Sequence, residues 1–182
     1  TILNSIRKIN PSFPLTAKMM GLKRRPKGVV KPILDAHVIS VISEMIAKSF
    51  DVIDNPEFYL NETKSFYDAN LAICLVDLTN LRTNEAMQIT ERNLYEIAAG
   101  NPINIKIKKK DSPTTIMTLQ TVFSVYFEKM IKCMHYRNEK FNMATDEKFK
   151  YKLDRVISCS RSIVNDYIKK FLVAHNCVKK YN

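Results

Sequence analysis

Apolar positions recur along the chain with distinct periods, and each period predicts an element. Val38, Ile39, Val41, Ile42, Met45 and Ile46 fall at helical spacing, and Asp35 stands where its side chain can cap the first turn. After a loop around Asn55 and Pro56, a second helix is expected from about Thr63 to Leu78. Its apolar run, Leu71-Ala72-Ile73-Cys74-Leu75-Val76, implies burial on most sides. A break near Thr79-Asn80 leads to a short helix through Glu85, Ala86 and Met87. Ile103, Ile105 and Ile107 then alternate with Asn104, Lys106 and Lys108, a period of two with a basic polar face. Asp111-Ser112-Pro113 supplies a turn, and residues 114–119 a second strand, so 103–119 reads as a β-hairpin. Helix returns with Val122, Phe123, Tyr126, Phe127, Met130, Ile131 and Met134. The polar stretch 137–152 reads as loop or weak helix. Ser160 begins a last helix with Ile163, Val164, Tyr167, Ile168, Phe171 and Leu172 on one stripe.

The N-terminal part is different. Ile2, Leu3, Ile6 and Ile9 have helical spacing, but Pro11 and Pro14 end it. Residues 21–32 hold two glycines, two prolines and five basic residues, the composition of an extended linker. The fold class is therefore α+β, mostly helical with one small hairpin. The chain divides into a short helical segment (1–20), a basic linker (21–34) and a main domain (35–182).

Composition narrows the function classes. Hydrophobic residues make up 46% of the 182, enough for an ordinary core and too many for a disordered tail. Three glycines and no tryptophan argue against a Gly-rich barrel or a dinucleotide fingerprint. The longest apolar run is far short of the roughly 20 residues of a membrane span, and no signal peptide is visible. Cys74, Cys133, Cys159 and Cys177 form no Cys-x-x-Cys pair, so they read as reduced thiols of an intracellular protein with no metal site. A chain that starts at Thr1 is expected to be a fragment or a processed product.

Charge points to a partner. Lys and Arg number 29 against 18 Asp and Glu, a formal net charge of +11. The surplus is clustered: Lys23, Arg24, Arg25, Lys27 and Lys31 in the linker; Lys106, Lys108, Lys109 and Lys110 on the hairpin; Lys169, Lys170, Lys179 and Lys180 near the end. One such cluster is equally well a solvated face. Three favour a polyanion, since neutralising phosphates releases condensed counterions. A membrane surface fits less well, because no terminal cluster sits opposite a strongly apolar helix face.

The stretch with candidate chemistry is Thr79-Asn80-Leu81-Arg82-Thr83-Asn84-Glu85-Ala86-Met87-Gln88-Ile89-Thr90. Arg82 directly follows a buried helix, and Glu85 three residues on can hold it or its backbone and leave the guanidinium fork for a phosphate. The same spacing is also that of an ordinary i,i+3 ion pair on a solvated face, worth a few tenths of a kcal/mol. Lys110 sits at the predicted hairpin tip, where it is either a groove-reaching acid or a solvated turn lysine.

Together, the buried helix, the box Thr-x-Leu-Arg-x-x-Glu-x-x-x-Ile, Asn93-Leu94 and a hairpin with a tip lysine resemble the catalytic domain of the tyrosine recombinase (integrase) family. The resemblance covers roughly residues 22–175. Asn80 stands where that box usually has Gly, and Asn93 where it usually has Asp. The abundance of Lys, Ile and Asn (21, 19 and 15 residues) favours a viral member, similar to the baculovirus and nudivirus very late expression factors. The resemblance implies that Arg82 binds the scissile phosphate, that Glu85 supports it, and that Lys110 is the general acid toward the 5′-oxygen. Lys23, Arg24, Arg25, Lys27, Lys31, Lys106, Lys108 and Lys109 would hold double-stranded DNA, with residues 1–20 as the end of a DNA-clamping domain. It implies no cofactor and no metal, since arginines supply the positive charge. It also implies homo-oligomers on DNA, no membrane partner, and a nuclear location, in the host nucleus or the virion for a viral member.

The family's later boxes are not visible. His135-Tyr136-Arg137 has the wrong spacing for His-x-x-Arg and reads as surface helix. His175 has no arginine three residues on, and Tyr181 lacks the preceding box expected of a nucleophile. The recombinase-type domain is thus expected to be incomplete at its C-terminus. The full-length protein would cleave and rejoin DNA through a 3′-phosphotyrosine, and this chain alone would bind without cutting. The alternative is a non-enzymatic DNA-binding or virion structural protein that keeps the fold.

Overall fold

A computed structural model describes residues 35–107, 115–119, 124–148 and 152–177. The N-terminal segment, the linker cluster from Lys23 to Lys31, the hairpin tip with Lys108, Lys109 and Lys110, and Tyr181 lie outside the described residues. In order, the elements are α1 (Ala36–Asp54), a 3-10 turn (Pro56–Tyr59), α2 (Lys64–Thr79), α3 (Thr83–Ala86), α4 (Glu91–Ala98), β1 (Ile103–Ile107), β2 (Thr115–Leu119), α5 (Ser124–Lys140) and α6 (Arg161–Ala174). Among the described residues the class is mostly helical, with β1 and β2 paired antiparallel from Ile103 opposite Leu119 to Ile107 opposite Thr115. None of the described helices is long and apolar enough to cross a membrane.

Local chemistry explains the boundaries. Asp35 caps α1 by accepting from the His37 N–H at 2.9 Å. Thr63 does the same for α2, accepting from the Phe66 N–H at 3.3 Å. α2 is the central helix: Tyr67, Ala69, Leu71, Ala72, Cys74 and Leu75 are fully buried, and α1, α5 and α6 pack around it. An element covered on several sides has no polar face, which is why its apolar run is nearly continuous. The core continues through Val52 and Ile53 of α1, Leu94 and Ile97 of α4, Ile103 and Ile105 of β1, and Phe127, Met130 and Met134 of α5. All four cysteines are free and buried. Burial pushes the Cys133 thiol up to about 12 and the Cys159 thiol to about 11, which keeps both neutral fillers of the core.

The structure extends the sequence reading at two places and corrects it at a third. Residues 91–98 form a helix that the sequence reading did not include; its stripe is short, and Thr90 starts it by accepting from the Asn93 N–H. The helix after the hairpin runs on to Lys140, so the first four residues of the 137–152 stretch, expected as loop or weak helix, are helical. Most consequentially, Arg137 is not on the surface: it is fully buried, although His135 two residues before it is exposed and paired with Glu91.

Arg137 is tolerated inside because its donors are met. Its guanidinium pairs with the buried Asp68 of α2 and donates to the carbonyls of Val156 (2.7 Å) and Arg155 (3.2 Å) and to the Asn138 side chain (2.8 Å). Asp68 also accepts from the Ser158 N–H (3.0 Å), the Ser158 hydroxyl (2.8 Å) and Lys64 Nζ (3.1 Å). Two helices and the 155–158 segment are joined through one buried, fully paired network.

Candidate nucleic-acid interface

The arginine box forms the turn between α2 and α3, and its residues divide into a buried scaffold and one outward charge. Thr79 ends α2, and its hydroxyl accepts from the Leu81 N–H at 3.4 Å. Asn80 takes the left-handed conformation, φ 55° and ψ 18°, and its N–H closes the helix on the Val76 carbonyl. That backbone explains why a glycine suits this position, and why Asn, the side chain that best tolerates the region after Gly, can replace it. Asn80→Gly is therefore expected to stay within about 1 kcal/mol of wild type, whereas Asn80→Val should lose about 1–2 kcal/mol or more. Urea denaturation of the two variants checks both values.

Leu81 is inserted in the core and Ile89 closes the box from below, both essentially buried. Between them Arg82 turns outward, its side chain 69% exposed. Glu85, 12% exposed at its side chain, accepts the Arg82 backbone N–H at 2.9 Å through Oε2. Its Oε1 stands 3.9 Å from Arg82 Nη1, a loose approach that leaves most guanidinium donors facing solvent. Of the two readings of the Arg82–Glu85 spacing, the carboxylate thus fixes the backbone first and the guanidinium only weakly. Asn93, at the other substituted position, accepts from the Thr90 N–H and hydroxyl, both at 3.0 Å. An aspartate could accept the same bonds, so this position too is structural.

Arg82 opens onto a cavity of about 480 Å3 that β1 and α6 share with α3. Lys106 enters from the exposed face of β1, and Gln88 joins that strand to α3 by donating to the Lys106 carbonyl at 2.9 Å. Arg161, the first residue of α6, enters from the far side. Among the described residues the lining thus carries three cations, Arg82, Lys106 and Arg161, against one carboxylate, Glu85, with Val76 and Leu81 as an apolar wall.

The sequence reading named Arg82, Glu85 and Lys106 separately, and the fold brings them together. It did not single out Arg161. That residue is 79 positions from Arg82, beyond any local spacing, and the signal available was only an arginine beside the serine that begins the last helix. Lys110, assigned the acid role, lies outside the described residues, as do Lys23, Arg24, Arg25, Lys27, Lys31, Lys108 and Lys109. Among the described residues no tyrosine lines the cavity. Among the described residues no group of three or more His, Cys, Asp or Glu side chains could hold a metal ion.

No protein-family model, curated protein or solved structure matches this chain. Its functional reading rests on the residues and geometry above.

Proposed function

We propose that the chain is a double-stranded DNA-binding domain of the tyrosine recombinase type, with Arg82 directed at a backbone phosphate. The observation that supports this reading is the cavity where Arg82, Lys106 and Arg161 converge from three elements while Glu85 holds the Arg82 backbone. Exposed guanidinium forks suit phosphate oxygens, and a surplus of cations over carboxylates favours an anion. In a protein that also carries the second arginine and the tyrosine, Arg82 would stabilise the charge that develops on the scissile phosphate. Lys110 would protonate the leaving 5′-oxygen. The product of the tyrosine's attack is a 3′-phosphotyrosine, whose reversal rejoins the strand. Action in the nucleus and self-association on DNA go with this reading.

The test is a duplex titration of the chain at two ionic strengths. With several phosphates contacted by the basic clusters, affinity is expected to fall about a thousandfold between about 50 and about 200 mM salt. Affinity that barely changes over this range would show that the basic residues are not the contact surface, and the DNA reading would be abandoned.

A further inference from the structure

We propose that two copies of this chain pair about a two-fold axis, with the turn that carries Phe58 and Leu60 in each copy seated on the outer groove of α6 in the other. This pairing needs no DNA and does not rest on the reading of the Arg82 cavity.

The donor is the turn between α1 and α2. Phe58 is 78% exposed and Leu60 66%, among the most open large apolar side chains of the described residues. One such residue alone would be ordinary, but these two stand on a turn that the fold holds in place. Pro56 fixes its first backbone angle. The Tyr67 hydroxyl of α2 donates to the Tyr59 carbonyl at 2.6 Å, and Lys140 Nζ of α5 donates to the carbonyls of Tyr59 and Glu62, both at 3.2 Å. The Tyr59 hydroxyl donates to the Asp51 carboxylate of α1. Apolar side chains presented on a fixed backbone lose little freedom on contact, which is the property of a binding anchor.

The charge of this turn selects its partner. Between Lys48 and Lys64 lie Asp51, Asp54, Glu57 and Glu62 with no Lys or Arg, in a chain of net charge +11. Carboxylates repel phosphates, so the turn is unsuited to nucleic acid and suited to a basic protein surface. A second copy of the chain offers one.

The acceptor is the outward face of α6. Lys169, Lys170, Val173 and Ala174 line a shallow groove of about 350 Å3 there, with Asp166 as the one carboxylate among the described residues. All four are exposed, Val173 to half of its surface. Phe58 and Leu60 suit the apolar floor of Val173 and Ala174, while Glu57 and Glu62 suit the two lysines. Among the described residues none of these four charged side chains has an ion-pair partner within its own chain. The two surfaces also adjoin. Phe66 packs against the ring of Tyr59 on the turn (centroids 5.6 Å apart) and that of Tyr167 on α6 (5.9 Å), and Tyr167 is three residues before Lys170. An acidic apolar knob beside a basic apolar groove is a self-complementary patch, which a two-fold pair requires. The apolar knob supplies most of the affinity, and the exposed charges fix the register.

The experiment is sedimentation equilibrium of the whole chain at low salt without DNA, over a range of protein concentrations. The wild type is expected to pass from monomer to dimer, and Phe58→Asp should raise the dissociation constant about tenfold or more. Two charge-reversed chains, Glu57→Lys with Glu62→Lys and Lys169→Glu with Lys170→Glu, place like charges across both contacts and should each dissociate about tenfold more readily. Mixed in equal amounts, these two chains carry opposite charges at both contacts again, and a heterodimer close to wild-type affinity should form. All the changes are at exposed side chains, so melting curves coincident with the wild type's assign the losses to the interface. A wild type that stays monomeric, a dimer untouched by Phe58→Asp, or a mixture no tighter than its components overturns the pairing. Growth beyond the dimer overturns the two-fold arrangement in favour of head-to-tail addition. Each of these results leaves the DNA reading standing, because that reading is tested by duplex affinity alone.

Discussion

Arg137→Ala is expected to lose about 3–5 kcal/mol of stability, the cost of leaving a buried partner charge unpaired. The chain should melt about 10 °C or more below wild type. The change does more than remove one ion pair. It leaves Asp68 charged in the core with only Ser158 and Lys64 as donors, and strips the Val156 and Arg155 carbonyls of the guanidinium. Arg137→Met combined with Asp68→Leu should recover part of the loss, because replacing both charges removes the unpaired one. Recovery should be incomplete, since the Ser158 N–H then loses its acceptor and Lys64 loses one of its acceptors. Urea unfolding of the three variants measures all of this. A loss under 1 kcal/mol for Arg137→Ala would mean that packing and the remaining hydrogen bonds hold the 155–158 segment without the guanidinium.

Arg82→Ala is expected to act on chemistry more than on folding. In a strand-cleaving protein that contains this chain, the rate of DNA cleavage should fall about 10²–10³-fold, the usual consequence of removing one donor from a charge-stabilising site. Duplex affinity should drop only about tenfold, because the remaining basic residues still hold the backbone. Stability should hardly change: the side chain is mostly exposed, and the bond to Glu85 is made by the Arg82 backbone N–H, which alanine retains. The measurement is single-turnover cleavage of a suicide duplex beside a binding titration of the same preparation. Cleavage at the wild-type rate would remove Arg82 from the reaction. Loss of binding and cleavage in equal proportion would make it a clamp residue instead.

The local features of the fold were legible in the sequence because they depend on neighbours. Asp35 and Thr63 cap helices through N–H groups two and three residues away, and alternation of Ile103, Ile105 and Ile107 is a property of one strand. The arginine box was legible for the same reason. Thr79, Asn80, Leu81, Arg82, Glu85 and Ile89 fit a single helix–turn–helix whose geometry is complete within eleven residues.

What only the tertiary structure decided depends on groups distant in the chain. Arg137 sits in a polar-looking stretch, and by composition it belongs on a surface. Its burial follows from Asp68, 69 residues earlier, and from carbonyls 18 and 19 residues later, none of which a local pattern reports. Helix α4 was missed because eight residues carry too few apolar positions to establish a period, so its packing against α5 settles its form. Arg161 joined Arg82 and Lys106 only when the buried network set the start of α6 against the box. The sequence by itself determined most of the elements, the charge and the outward arginine. The fold determined which cations share a cavity, because long-range hydrogen bonds, not spacing, bring them to one place.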